Sequence, residues 1–301
     1  MDFYYGLAQT IGIHTLLGLS AYVILLTGQM SMAQAAFYAI GAYSAGMLTT
    51  LFGWHILPAL FAGAAVGGLA AGAVGFPALR VKGLMLVIAT LVFGEGIRLF
   101  FFNFDYQIAK DNIMIGPNGP DGFRQIRYFP ENGWTAVDVM MLVWLFVVLV
   151  MALIWWFDRS RYGSVLRAVG DDELAAQSVG INLTAMKVSA MTIGGAIAGF
   201  AGGLYAHYTT HIEHLAFGVV QSVFAVAYAV IGGMGSVFGT LVAVIFVQGF
   251  LVEGLRFLGD WRNLLFGALI IVAMVFMPNG LLNANMLSRI KRIFAGRRGN
   301  A

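Results

Sequence analysis

The sequence predicts an all-α, polytopic membrane protein, and three observations predict it. Hydrophobic residues make up 60% of the 301 positions and charged residues only 10%. A soluble domain needs far more polar surface to cover its core, so the apolar surplus must face lipid. Stretches of the length that crosses the hydrocarbon layer, about 20 residues for about 30 Å, recur along almost the whole chain. The third sign is the 39 glycines, a residue better tolerated in membrane helices than in soluble ones.

The spans begin with 7–26, 31–52 and 55–76, and continue with 84–104, 136–157 and 188–208. The last third offers 219–231, 237–252 and 264–277. That gives eight to nine segments, two of them short enough to be broken or re-entrant. The first lysine or arginine is Arg80, so the opening apolar run lacks the basic n-region of a secretory signal and is expected to be a retained span.

Charge placement sets the orientation. Lys82 joins Arg80 in a short loop; Arg159, Arg161, Arg167 and Lys187 lie in a longer one, 158–187. The tail, 278–301, carries Arg289, Lys291, Arg292, Arg297 and Arg298. The positive-inside rule puts all three in the cytoplasm, with loop 105–135 and the N-terminus on the outside. The tail is expected to set topology and meet anionic headgroups, not nucleic acid. Trp54, Trp134, Trp155, Trp156 and Trp261 sit at segment ends, where an amphipathic ring prefers the headgroup level. The whole chain, 1–301, is expected to be one transmembrane domain in the inner membrane.

Several chemistries are missing from the sequence. Without cysteine there are no disulfides and no thiolate metal sites. No G-x-x-x-x-G-K-[ST] loop is present to cradle nucleotide phosphates, and no dinucleotide fingerprint or nucleophile elbow stands out. No catalytic residues and no bound cofactor are therefore expected. His207, His211 and His214, beside Glu213, are the one grouping that resembles metal ligands. They lack an H-E-x-x-H pattern and are expected to be incidental.

The cytoplasmic loop is more than a linker. Asp171, Asp172 and Glu173 suit a helix N-terminus, Leu174, Ala175 and Ala176 favour helix, and Gly180 can supply a left-handed stop. This predicts an exposed, capped helix of two to three turns. On these grounds alone it either docks on another protein or packs along the membrane surface. The run Glu173-Leu-Ala-Ala-Gln-Ser-Val-Gly180 resembles the "EAA" coupling loop of ABC-importer permeases. Tyr162-Gly-Ser-Val-Leu-Arg-Ala168, Gly180-Ile-Asn182, Gly41-Ala-Tyr43 after Phe37, and Ala89-Thr-Leu-Val-Phe-Gly-Glu-Gly-Ile-Arg98 are similar to the branched-chain amino acid permease family. So are Ile231-Gly-Gly-Met-Gly-Ser-Val-Phe-Gly239 and Pro278-Asn-Gly-Leu281. The Thr-Leu-x-Phe-Gly-Glu run resembles the LivM-type subunit more than its LivH-type partner. Two places depart from the family: Ile115-Gly-Pro-Asn-Gly-Pro-Asp-Gly122 replaces a Thr-Gly-Gly-type outer loop, and Leu84-Met85 stands where an aromatic is common.

The resemblance implies a second, LivH-type permease subunit, two cytoplasmic ATPases holding ATP and magnesium, and a periplasmic binding protein. It implies ATPase coupling at Arg161, Gly163, Arg167, Glu173, Ala175, Ala176 and Gly180. The implied cargo is a branched-chain or related hydrophobic amino acid, the alternatives being urea, short amides or aromatic acids. A self-sufficient secondary transporter or channel is disfavoured, because it needs intramembrane carboxylates and Glu95 is the only convincing one.

Candidates for the pathway come from the residues themselves. Gly28-Gln-Met-Ser31 and Gly233-Met-Gly-Ser236 each precede a small-residue helix, the pattern of a central site in a duplicated transporter or simply of close packing. Gln29, Ser31, Gln34, Gly233 and Ser236 are the positions so marked. Glu95 and Arg98 are the clearest intramembrane ionisable residues and can pair at i,i+3, a structural role preferred here over substrate binding.

Overall fold

The computed structural model describes residues 2–78, 81–110, 113–233 and 235–254, with isolated positions from 261 to 268. Most of the expected span 264–277, and the whole tail 278–301, lie outside the described residues. Among the described residues, five helices are long and apolar enough to cross a membrane: α1 (Asp2–Leu25), α3 (Ile56–Ala78), α4 (Leu84–Asn103), α6 (Ala136–Asp158) and α9 (Leu183–Thr209). The other members of the bundle are shorter. They are α2 (Gln34–Thr50), α10 (Val219–Gly232) and α11 (Val237–Val244), the last continuing as a π-helical segment Ile245–Gly254.

Helix α9 is the centre, packed on α1, α2 and α3. Its glycines make that possible. A Cβ at Gly202 would lie 1.9 Å from the Tyr38 carbonyl oxygen, and one at Gly41 2.0 Å from that of Gly199. Without side chains at these crossings the helix backbones approach directly, which compensates for the weak hydrophobic drive between helices in lipid.

The two ends of the bundle differ. At one, Gln9 Nε2 donates to the Ala136 carbonyl at 2.6 Å, His207 Nε2 pairs with Thr49 Oγ1 at 2.8 Å, and segment 104–135 folds over the helix ends. That segment is not free loop: it contains a small antiparallel hairpin, β1 (Ile108–Lys110) with β2 (Ile113–Ile115), and a short helix α5 (Tyr128–Glu131). Phe123 and Ile126 are fully buried, and Phe123 exchanges both backbone hydrogen bonds with Ile212. Helix α1 begins at this same end, where Tyr208 Oη donates to the Gly6 oxygen at 3.3 Å. The opposite end carries the connection between α6 and α9. Here the expected loop 158–187 is mostly helix: α7 (Arg161–Asp171) and α8 (Glu173–Ser178), with α9 starting five residues before the expected Val188.

Trp155 is stacked against the Arg159 guanidinium at 3.7 Å and, like Trp54, Trp156 and Trp261, stays exposed. This places apolar rings and a cation together at a helix end, as an interfacial anchor requires.

Candidate functional site

Two regions concentrate polar structure inside this apolar bundle: the backbone breaks before α2 and α11, and the α7–α8 end. Helix α2 starts at Gln34, not at Ser31, because the preceding backbone bonds sideways. The Met32 N–H donates to Thr90 Oγ1 (3.0 Å), Ala33 N–H to Ser31 Oγ (3.2 Å) and Ala35 N–H to Ser222 Oγ (3.1 Å). Hydroxyls from α4 and α10 thus satisfy backbone that would otherwise be orphaned, the condition for non-helical chain at membrane depth. Gln29 is buried and, among the described residues, accepts only a long contact from Thr27 Oγ1, 3.4 Å. Gln34 is wholly buried, and neither atom of its side-chain amide has a partner among the described residues. The hydroxyls of Tyr22, Tyr38, Tyr43 and Thr240 are likewise buried without a partner among the described residues. Each such group costs about 1–3 kcal/mol, and Gln34, with both amide atoms unpaired beside the break, carries the largest such cost there.

The second break has the same opening. Gly233 takes φ +97°, as Gly28 takes φ +71°, and a new helix follows within a few residues in both cases. Ser236 precedes α11 but makes no side-chain cap. Beyond it, Gly232 and Gly239 face each other so closely that a Cβ on Gly239 would lie 2.0 Å from the Gly232 oxygen. Glu95 and Arg98 form the expected i,i+3 pair, Nε to Oε2 at 2.6 Å, on the flank of α4 that the chain itself leaves half-exposed.

At the other end α8 is defined at both termini. The Asp172 side chain caps it, accepting from the Leu174 and Ala175 N–H groups at 2.9 and 3.0 Å. Asp171 instead closes α7, so only part of the expected acidic start belongs to α8. Gly180, at φ +86°, donates to the Gln177 oxygen (3.0 Å), and the Ile181 N–H reaches the Ala176 oxygen (3.2 Å). These two bonds are a Schellman stop. The helix has six residues rather than two to three turns. Ala176 faces inward, while Ala175, Leu174 and Val179 face out, the last two 78% and 75% exposed.

The remaining expected coupling residues divide. Arg161 is exposed at the start of α7. Arg167 turns back to the end of α6, with Nη2 2.7 Å from Asp158 Oδ1. Gly163 permits the tight α6–α7 corner, since a Cβ there would lie 2.4 Å from the Phe157 oxygen. Glu173 points inward and is held from two sides, by Lys187 Nζ on α9 at 2.5 Å and Lys82 Nζ before α4 at 2.7 Å. These hydrogen bonds, Lys187's first, hold its carboxyl below the usual carboxylate range. Lys82 and Lys187 are the parts of this end whose role motif reading does not single out. Asp172, expected at a helix N-terminus, had a signal: a capping residue three positions before the first alanine. The lysines had none beyond their sign.

The three histidines go separate ways. His207 is buried between Thr49 and the Gly203 oxygen, His211 Nδ1 lies 3.3 Å from the Phe123 oxygen, and His214 packs on the Phe102 ring. Among the described residues no three histidines or carboxylates converge as metal ligands.

Lipid-length helices around a glycine-lined centre, interrupted by hydroxyl-stapled breaks and carrying a capped helix at one end, define a multi-pass membrane permease. The family described as "Branched-chain amino acid transport system / permease component" matches residues 3–274. The chain belongs to that family. It is 33% identical, over 90% of its length and 68% of the relative's, to the high-affinity branched-chain amino acid transport system permease protein LivM of Salmonella typhimurium. The fructose import permease protein FrcC of Rhizobium meliloti is 27% identical over 88% of this chain and 74% of its own. The high-affinity branched-chain amino acid transport system permease protein LivH of Escherichia coli K12 is 24% identical over 88% of this chain and 89% of its own. No solved structure matches the chain.

Proposed function

We propose that this chain is one of two membrane-spanning subunits of an ATP-driven importer that carries branched-chain or related hydrophobic amino acids across the inner membrane. A LivH-type permease is its partner, two ATPases sit on the α7–α8 end, and a binding protein delivers cargo to the end covered by 104–135. The proposed count is eight to nine segments, some of them broken or re-entrant, with the C-terminus cytoplasmic. ATP is hydrolysed on the partner ATPases, and closure there moves α8 and with it the bundle.

The single observation that carries this reading is α8. A six-residue helix capped at both ends, with Leu174 and Val179 turned outward, presents apolar surface that the chain itself does not cover. Burying a leucine-sized side chain is worth about 1.5–3 kcal/mol, so such a projection fits a protein cleft. Co-expression with the cognate ATPase and replacement of Leu174 by Asp tests it. Co-elution should fall at least tenfold with membrane insertion intact; undiminished co-elution and uptake would overturn the assignment. The pathway is proposed to pass the two breaks, with Gln34 as its clearest polar contact and Gln29, Ser31, Gly233 and Ser236 around it.

The likeness to a permease named for fructose import supports a second cargo class on the same machinery. Identifying the ligand held by the cognate binding protein separates the two.

A further inference from the structure

A cavity of about 340 Å³ opens at the α7–α8 end, between the break before α2, the start of α4 and the ion cluster on Glu173. Its volume lies at the small end of the range for small-molecule pockets, about 300–1,000 Å³. The wall divides in two. One side carries Lys82, Glu173, Lys187 and Gln29; the other is aliphatic, from Met30, Leu84, Leu86 and Val87.

The charges on the polar side do not balance. Two ammonium groups share one carboxylate, leaving one positive charge in excess. Lys187 matters most, because its side chain is only 7% exposed and its charge is therefore largely cut off from water. An ammonium has three donors, and each lysine's only hydrogen-bond partner among the described residues is Glu173. A carboxylate placed between Lys82 and Lys187 would take up the spare donors and the spare charge. An ammonium on the same ligand would find the remaining lone pairs of Glu173 and the Gln29 carbonyl oxygen. A branched aliphatic group would then lie on Met30, Leu86 and Val87.

We propose that this cavity is a binding site for a free α-amino acid with an aliphatic side chain, held as a zwitterion at the inner mouth of the permease. The inference rests on the amino acid reading of the cargo and goes beyond it, since it places a cargo-class molecule in contact with Glu173 of α8. Lys82, 72% exposed, can swing onto an arriving ligand, whereas Lys187 is fixed.

The test uses the assembled permease–ATPase complex in lipid nanodiscs, without binding protein, titrated calorimetrically with leucine, isovalerate and isoamylamine. Leucine should bind, and each analogue, lacking one of the two charges, should bind at least tenfold more weakly. Lys82→Ala, at an exposed position, should weaken leucine at least fivefold; Lys187→Met should do more, provided it assembles. Absence of leucine binding, equal binding of isovalerate, or leucine binding indifferent to Lys82→Ala overturns the site. ATP-driven leucine uptake with the binding protein added is measured on the same preparation. Uptake without a Lys82-dependent site sinks only this inference, whereas a complex that binds no branched-chain amino acid and transports none sinks the cargo reading too.

Discussion

Replacing Gly180 isolates the backbone geometry of α8 from everything else near it. Its φ of +86° is left-handed, and a Cβ built there meets nothing within 4 Å. Any penalty is therefore conformational and not steric. An L-residue forced into this region costs about 1–2 kcal/mol, with β-branched residues at or above the top of that range. Any non-glycine residue also restricts the uncapped loop, returning about 0.4–1 kcal/mol where the native angles are tolerated. Asn tolerates them, so Gly180→Asn should be near neutral. Gly180→Ala should cost under about 1 kcal/mol and Gly180→Val about 2. On the Schellman closure, 1–2 kcal/mol is a roughly 5- to 30-fold fall in the population of the stopped helix. The readout is ATP hydrolysed per cargo molecule in proteoliposomes. That ratio should rise steeply for Val, slightly for Ala and little for Asn, with the complex still assembling. If Asn is as damaging as Val, the lesion is the presence of a side chain and not the left-handed angle. If Val behaves as wild type, the stop is irrelevant to coupling.

Other expectations can be checked alongside. Gly202→Ala puts a Cβ 1.9 Å from the Tyr38 oxygen, while Gly96→Ala meets nothing within 4 Å; the first should destabilise by about 3 kcal/mol or more and the second scarcely, by thermal scanning in detergent. Gln34→Leu removes a buried amide without partners; stability should hold or rise by about 1 kcal/mol while transport falls, and unchanged transport would remove Gln34 from the pathway. Glu95→Gln leaves Arg98 unpaired on a membrane helix and should cost up to about 2.5 kcal/mol, more than the double change with Arg98→Gln. Because Glu173's carboxyl is depressed by Lys187 and Lys82, its contribution is complete above the ordinary carboxylate pKa and is lost as pH falls through the depressed value. Spin labels on α8 and α9 should therefore keep their distance at neutral and mildly acidic pH and separate only at pH below the ordinary carboxylate range.

What the sequence revealed and what it hid follow from the range of the interactions. The five long helices were legible because hydropathy is a local property. Segment 31–52 was legible as apolar but not in where its helix begins, since that depends on Thr90 and Ser222, distant in sequence. Helix α7 went unread although its signals were present: Ser160 caps it, and Leu166 and Val169 are buried one turn apart. Among charged segments that pattern was overshadowed by the basic residues used for topology. The cap and stop of α8 were legible, because Asp172 and Gly180 act within a few positions. The destination of Glu173 was not, since its two partners stand 91 and 14 residues away.

That destination changes how motion at α8 would travel. A surface carboxylate could serve only the docking partner, but this one is spent inside the chain on α9 and on the segment entering α4. A third joint is backbone to backbone: a Cβ at Gly170, near the end of α7, would lie 2.5 Å from the Leu26 oxygen and 3.0 Å from the Gly28 nitrogen. A push on α8 therefore reaches three places together: the central helix, the half-exposed helix with the Glu95–Arg98 pair, and the break from which α2 rises. Close-packed helices shift as bodies and do not deform continuously. Because α9 packs on α1, α2 and α3, it would carry them with it, while the break yields at hydroxyl bonds to Thr90 and Ser222 that are individually weak. Under the proposed docking at α8, the fixed Lys187 contact and the weak hydroxyl bonds beside Gln34 would turn a displacement at one end into an opening near the middle.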